Sequence, residues 1–174
     1  TSYLCHPSLA NNELSGPLVM LGLHHRILKW KKRRYSYRFL LNPETIGSLC
    51  FLSRYSKHLE ENLLSGVILT CLGGDADRVR IKNSREKKSL LDNCAKELKR
   101  TKGTKIVDFD PRGGSDERQF CAPGFNLPML QAAKSAYDQY DGYHNSLDTK
   151  EYMSITSLQE SIDELEELLL MGEY

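Results

Sequence analysis

His6, Glu44, Asp75 and His144 are the residues of this 174-residue chain whose types and placement suit chemistry. His6 follows a strand-like stretch at 1–5, Glu44 one at 35–41, and Asp75 one at 66–72. His144 lies in a later loop at 143–148. In open α/β sheets, ligands bind just beyond the carboxyl ends of the strands. Imidazoles and carboxylates gathered there suit Zn²⁺, a borderline-soft cation that accepts both donor types. Singly, each residue has an ordinary alternative. A lone His is often structural, Glu44 after Pro43 suits the first turn of a helix, and Asp75 after Gly73-Gly74 suits a turn. Convergence on one sheet edge carries the metal reading.

Strand-like and helix-like segments alternate along the chain. Leu14, Leu18, Leu21 and Leu28 recur at helical spacing, which predicts a helix over 13–31. Its basic end, 29–34, complements the helix dipole. Residues 35–41 alternate aromatic and polar side chains and read as a strand. Asn42-Pro43 ends it, and a helix over 45–62 follows with Thr45 as its cap. The apolar run 66–72 reads as a buried central strand. Residues 77–82 alternate and read as an edge strand, 84–100 as a helix, 105–110 as a strand, and 111–128 as a Gly/Pro-rich loop. The tail, 156–171, is an acidic amphipathic helix. This order predicts an α/β domain whose mostly parallel central sheet is flanked by helices.

Bulk properties are those of a soluble globular chain: 40% hydrophobic, 27% charged, net charge +1. They argue against nucleic acid and membrane as partners and leave an oligomer open. No apolar run approaches the roughly 20 residues a membrane helix needs. The five cysteines are widely spaced with no CxxC pair, so neither a zinc knot nor a disulfide framework is expected. Cys5, Cys50 and Cys71 read as buried thiols, which suits a cytoplasmic setting. Thr1 begins what looks like the end of a strand, so the chain reads as a single domain, 1–174, truncated at its N-terminus. The basic-aromatic stretch 29–38 reads as a solvated helix terminus. His24 and His25, about 100° apart on a helix, do not form one site.

The ordered motifs Cys5-His6-Pro7-Ser8-Leu9-Ala10-Asn11, Leu14-Ser15-Gly16, Arg38-Phe39-Leu40-Leu41-Asn42-Pro43-Glu44-Thr45, Leu69-Thr70-Cys71-Leu72-Gly73, Gly114-Ser115-Asp116-Glu117-Arg118-Gln119 and Tyr143-His144-Asn145-Ser146-Leu147-Asp148 resemble the aminopeptidase-like domain often encoded near bacterial polysaccharide-biosynthesis genes. That family belongs to the wider clan of zinc aminopeptidases with a phosphorylase/hydrolase-like fold, and the resemblance spans nearly the whole chain. It implies His6 as the first metal-binding His, Glu44 as the ligand carboxylate, Asp75 as a further ligand with Asp77 as fallback, and His144 as the last. It implies one or two zinc ions and a small peptide or amino-acyl substrate. Two departures stand out. Asn12 occupies the place of the Asp that would bridge two metals, with Glu13 beside it as a substitute if the loop turns. Pro43 occupies the place of the clan's general-base Glu, which leaves Glu117 as the candidate base. An ion pair with Arg118 or Arg112 is the alternative for Glu117, and Arg118 is a candidate to bind a substrate carboxylate.

The resulting expectation is a zinc-dependent aminopeptidase-like hydrolase. Beside it stand a catalytically impaired relative that binds metal or a carbohydrate-pathway ligand, and a regulatory interaction module whose C-terminal helix meets a partner.

Overall fold

The computed structural model describes residues 1–135 and 140–174. The apolar run at 66–72 starts as β3 (Gly66–Leu69), and β3 pairs in parallel with β6 (Met129–Ala133). β6 runs antiparallel to β4 (Arg80–Lys82), which is parallel to β5 (Lys105–Val107), so the order is β3-β6-β4-β5. A parallel pair, β1 (Ser2–Tyr3) and β2 (Leu41–Asn42), lies beyond β3. The Leu69 N–H donates to the Thr1 carbonyl at 2.8 Å and the Thr1 amine to the Val67 carbonyl at 2.7 Å, so this pair continues the larger sheet. The mostly parallel sheet is therefore present, with the β4–β6 pairing its antiparallel exception.

Alternation along the strands divides the core. Leu69, Leu130 and Ala132 face a cluster with Val19, Met20 and Leu23 of α1 (Ser15–Leu28), Ala95 and Leu98 of α3 (Leu90–Lys102), and Leu165 and Leu168 of α5 (Ile155–Glu173). Ile68 and Met129 face Leu52 and Leu59 of α2 (Ile46–Asn62) and Phe120 of α4 (Glu117–Phe120). Helices thus cover both faces.

Several boundaries differ from the sequence reading. The strand expected over 35–41 is confined to Leu41–Asn42, because its partner β1 is only two residues long. The strand expected at 77–82 is shorter and internal, with neighbours on both sides. The helix expected from 84 begins at Leu90. Ser89 caps it, and the buried Asp92 carboxylate takes the Ser84 and Ser89 backbone N–H groups, folding 84–89 back against the helix. The helix expected from 13 begins as a π-helical turn, Ala10–Leu14, that runs into α1. β6 was not foreseen. It has five buried residues with no polar alternation, following directly on Pro128, so its pattern carries no period-2 signal.

The acidic tail helix packs on its own domain. Leu165 and Leu168 are buried in the core, and the Ser161 hydroxyl donates to the Leu72 carbonyl at 2.7 Å. Arg26 pairs with Asp163 and Glu166 at 2.7 Å, joining α1 to α5. This packing removes the reason for reading α5 as a partner-binding helix. Cys5 and Cys50 are exposed, contrary to expectation, while Cys71 is buried. Cys5 follows the exposed Leu4 just past β1, and Cys50 shares the outer face of α2 with the exposed Ile46 and Leu49.

Candidate metal centre

The loop after β1 carries His6, the loop after β2 carries Glu44, and the π-helical turn carries Glu13. The His6 Nε2 atom lies 3.7 Å from Glu44 Oε2, and its Nδ1 lies 3.4 Å from Glu13 Oε2. The imidazole sits between two carboxylates. The Glu13 carboxylate also accepts the His6 backbone N–H at 2.8 Å. The His144 ring lies with its centroid 5.1 Å from that of His6, on a residue with φ 57°. Tyr143 stacks on His144, and Tyr3 flanks His6 at 5.2 Å. His6, Glu44 and His144 are thus brought together from three distant segments.

Positive φ values recur around this edge, at Ser8, Thr45, Cys71 and His144. Such conformations are uncommon for residues with a Cβ and concentrate at functional sites. Thr45, next to Glu44, donates its N–H to Asp116 Oδ1 at 2.7 Å. The Ser115 hydroxyl donates to Glu44 Oε1. Burial raises the Glu44 carboxyl above its ordinary value, and the Ser115 bond and the nearby His6 and Arg118 oppose that rise. Burial likewise raises Asp116.

Asp75 lies apart. It is exposed and accepts the Tyr152 hydroxyl at 3.3 Å. The strand ends at Leu69, three residues before the end of the apolar run, so Asp75 lands near the start of α5 rather than beside His6. Asp77 is also exposed. The residue from this segment that approaches the centre is Cys71, whose sulfur accepts from Asn12 Nδ2 at 3.7 Å.

Asn12 is buried, and its Oδ1 has no partner among the described residues. Its backbone N–H and that of Asn11 donate to Asp148 at 2.9 and 2.8 Å, so Asp148 caps the start of the π-helical turn. Glu117 is fully buried and paired with Lys82 Nζ at 2.8 Å; it also accepts the Ser115 N–H. The pairing partner is neither Arg118 nor Arg112. Arg112 pairs with Asp110 at the surface, and Arg118 Nε donates to the Ser115 carbonyl at 3.2 Å. Sequence reasoning gave no site role to Cys5, Ser115, Asp148 or Lys82, although the first three lie in the motifs that carry the resemblance.

The His6 imidazole, partly open to solvent, has a carboxylate oxygen within 4 Å of each of its nitrogens, and these donor types suit a borderline divalent cation. An α/β sheet with such a cluster at its strand ends is a candidate metal-binding domain. The chain belongs to the family described as Domain of unknown function (DUF4910), which matches residues 1–174. It is 40% identical over 163 residues to a Clostridium acetobutylicum protein named as a polysaccharide biosynthesis protein with aminopeptidase-like domain, covering 92% of this chain and 36% of that protein. A peptidase structure from the same organism superposes with a TM-score of 0.90 at 36% identity, covering 99% of this chain and 40% of that one. BSAP, a zinc aminopeptidase from Bacillus subtilis, superposes with a TM-score of 0.70 at 17% identity, covering 98% of this chain and 44% of that one, and shows a shared fold. The chain thus spans well under half the length of these proteins.

Proposed function

We propose that this chain is the metal-binding portion of a zinc-dependent aminopeptidase-like hydrolase that cleaves a peptide or amino-acyl amide bond. The observation that carries the reading is the placement of His6, Glu44 and His144 on one sheet edge, from segments far apart in sequence. The zinc named in the structurally similar aminopeptidase supports the choice of ion. Bound there, zinc would polarise the scissile carbonyl and acidify a water. His6 and Glu44 would hold it, with His144 facing from the opposite loop. Ser115 would orient Glu44, and Glu13 would orient His6, as outer partners of metal ligands commonly do. Arg118, beside Glu44 and Asp116, would offer its guanidinium to a substrate carboxylate. Asp75 enters this scheme only if its loop moves toward His6.

A second reading, a catalytically impaired relative that binds metal or a carbohydrate-pathway ligand, is favoured by two observations. Asn12 is neutral where a bridging carboxylate would be needed, and Glu117 is held by Lys82 in a dry ion pair rather than facing the centre. We assign the cytoplasm on the strength of the unpaired cysteines; no helix among the described residues is long and apolar enough to cross a membrane.

Elemental analysis after zinc loading, with hydrolysis of an amino-acyl chromogenic amide, tests the leading reading. Bound zinc with turnover supports it; no bound zinc refutes it. Asn12→Asp separates the two readings. A rise from one metal to two, with a gain in turnover, favours impairment, and unchanged stoichiometry near two removes Asn12 from the argument.

A further inference from the structure

Among the described residues, one group of three donor atoms lies close enough together to hold an ion, and it is not the set implied by the zinc aminopeptidases. Cys5 Sγ, a His6 nitrogen and a Glu13 oxygen all fall within 4.8 Å of one another. Cys5 Sγ is 3.3 Å from His6 Nδ1, and Glu13 Oε2 is 3.4 Å from the same nitrogen. Tetrahedral zinc with Zn–S of about 2.3 Å and Zn–N and Zn–O of about 2.0–2.2 Å places neighbouring donors about 3.3–3.6 Å apart. The 3.4 Å Nδ1–Oε2 separation is such an edge, and the 3.3 Å S–N separation is a little shorter than the roughly 3.5–3.6 Å that the longer Zn–S bond sets. The Glu44 backbone N–H donates to Cys5 Sγ at 3.1 Å, an outer contact of the kind that orients a ligating atom.

We propose that Cys5 supplies a thiolate ligand, so that the metal sits on the Nδ1 side of His6, between Cys5 and Glu13. This rests on the reading above that a divalent ion binds at this sheet edge, and revises its ligand set: Cys5 and Glu13 take the places given there to Glu44 and His144, on the opposite side of the His6 ring. Glu13, rather than Asn12, then provides the carboxylate from the segment before α1. The π-helical turn is what makes this geometry available. It buries Asn12 against Cys71 and Asp148 and turns Glu13 toward His6. Cys5 is exposed, so an ion reaches the position without opening the fold. A thiolate makes the site softer than an all-nitrogen-and-oxygen one and shifts its preference toward zinc and other thiophilic ions over magnesium or manganese. On binding, the thiol proton is released to solvent and the sulfur lone pair forms the new bond, with no change in oxidation state.

Titrating the whole chain with Co²⁺ tests this, because thiolate-to-cobalt charge transfer absorbs in the near ultraviolet while visible d–d bands report binding by any donors. The expected result is a near-ultraviolet band that grows with the visible bands and saturates with them. It should vanish in Cys5→Ser, with cobalt affinity at least about tenfold weaker, and survive in Cys50→Ser and Cys71→Ser. Glu13→Gln should weaken binding while keeping the band. Circular dichroism checks that each variant is folded. Cobalt bound without the near-ultraviolet band, or a band that persists in Cys5→Ser, overturns the thiolate assignment and leaves the metal reading standing. No cobalt bound by calorimetry or by the visible bands overturns both.

Discussion

Replacing Glu117 with Gln separates two roles for the most deeply buried carboxylate near the centre. Its side chain is inaccessible, its Lys82 partner is 6% exposed, and the N–O separation is 2.8 Å. Lys82 Nζ also donates to the Gly113 carbonyl at 2.8 Å. Removing one member of such a pair leaves the other as a buried, uncompensated charge, at a cost of about 3–5 kcal/mol. For a domain of this size each kcal/mol moves the melting temperature by roughly 2–4 °C. Glu117→Gln and Lys82→Met should therefore each lower it by roughly 6–20 °C. The double variant Lys82→Met/Glu117→Leu should recover much of that loss, because no unpaired charge remains. Urea unfolding followed by circular dichroism, with an unchanged denaturant slope, measures the effect. The reasoning is refuted if Glu117→Gln unfolds within about 1 kcal/mol of wild type. If amide hydrolysis collapsed at the same time, Glu117 would return to the role of catalytic base.

Other outcomes follow from named contacts. Gly16→Ala should destabilise the fold by about 1–3 kcal/mol, because a Cβ there would lie 2.4 Å from the Leu69 carbonyl oxygen, and backbone cannot step aside; a thermal melt checks this. Asp148→Asn should cost about 1–3 kcal/mol, since the carboxylate takes two backbone N–H groups at the start of the π-helical turn, and loosened Asn11 and Asn12 amides should exchange faster with deuterium. Burial raises the Glu164 carboxyl above its ordinary value. A raised folded-state value means the protonated form is favoured by folding, so this stability is present below the unfolded value and lost as pH rises through the folded one. Glu164→Gln should accordingly melt higher than wild type at pH 7 and no higher at pH 4; the opposite ordering would refute the assignment.

How much of this was legible in the chain depends on the range of the interaction involved. The alternation of strands and helices, the apolar run at 66–72 and the acidic helix at the C-terminus are all written in the local pattern; the structure has each, with the run forming a strand over Gly66–Leu69 and buried from Ile68 on. His6 and Glu44 stood out because each follows a strand-like segment, and His144 because it lies in a loop motif that carries the resemblance. β6 was hidden, because a short strand buried on both faces has no alternation to read. Asp75 shows the limit of counting along an apolar run. The regular pairing of β3 stops at Leu69, and the chain turns at Cys71, with φ 48°, before it reaches the Asp. The sequence alone determined which residue types were available: an Asn where a carboxylate was expected, a Glu beside it and a Cys next to His6. Only the tertiary structure decided that Glu13 reaches His6 while Asn12 is buried against Cys71, because the direction of adjacent side chains is set by backbone dihedrals. Those dihedrals follow from a π-helical turn that Asp148, 136 residues away along the chain, holds in place.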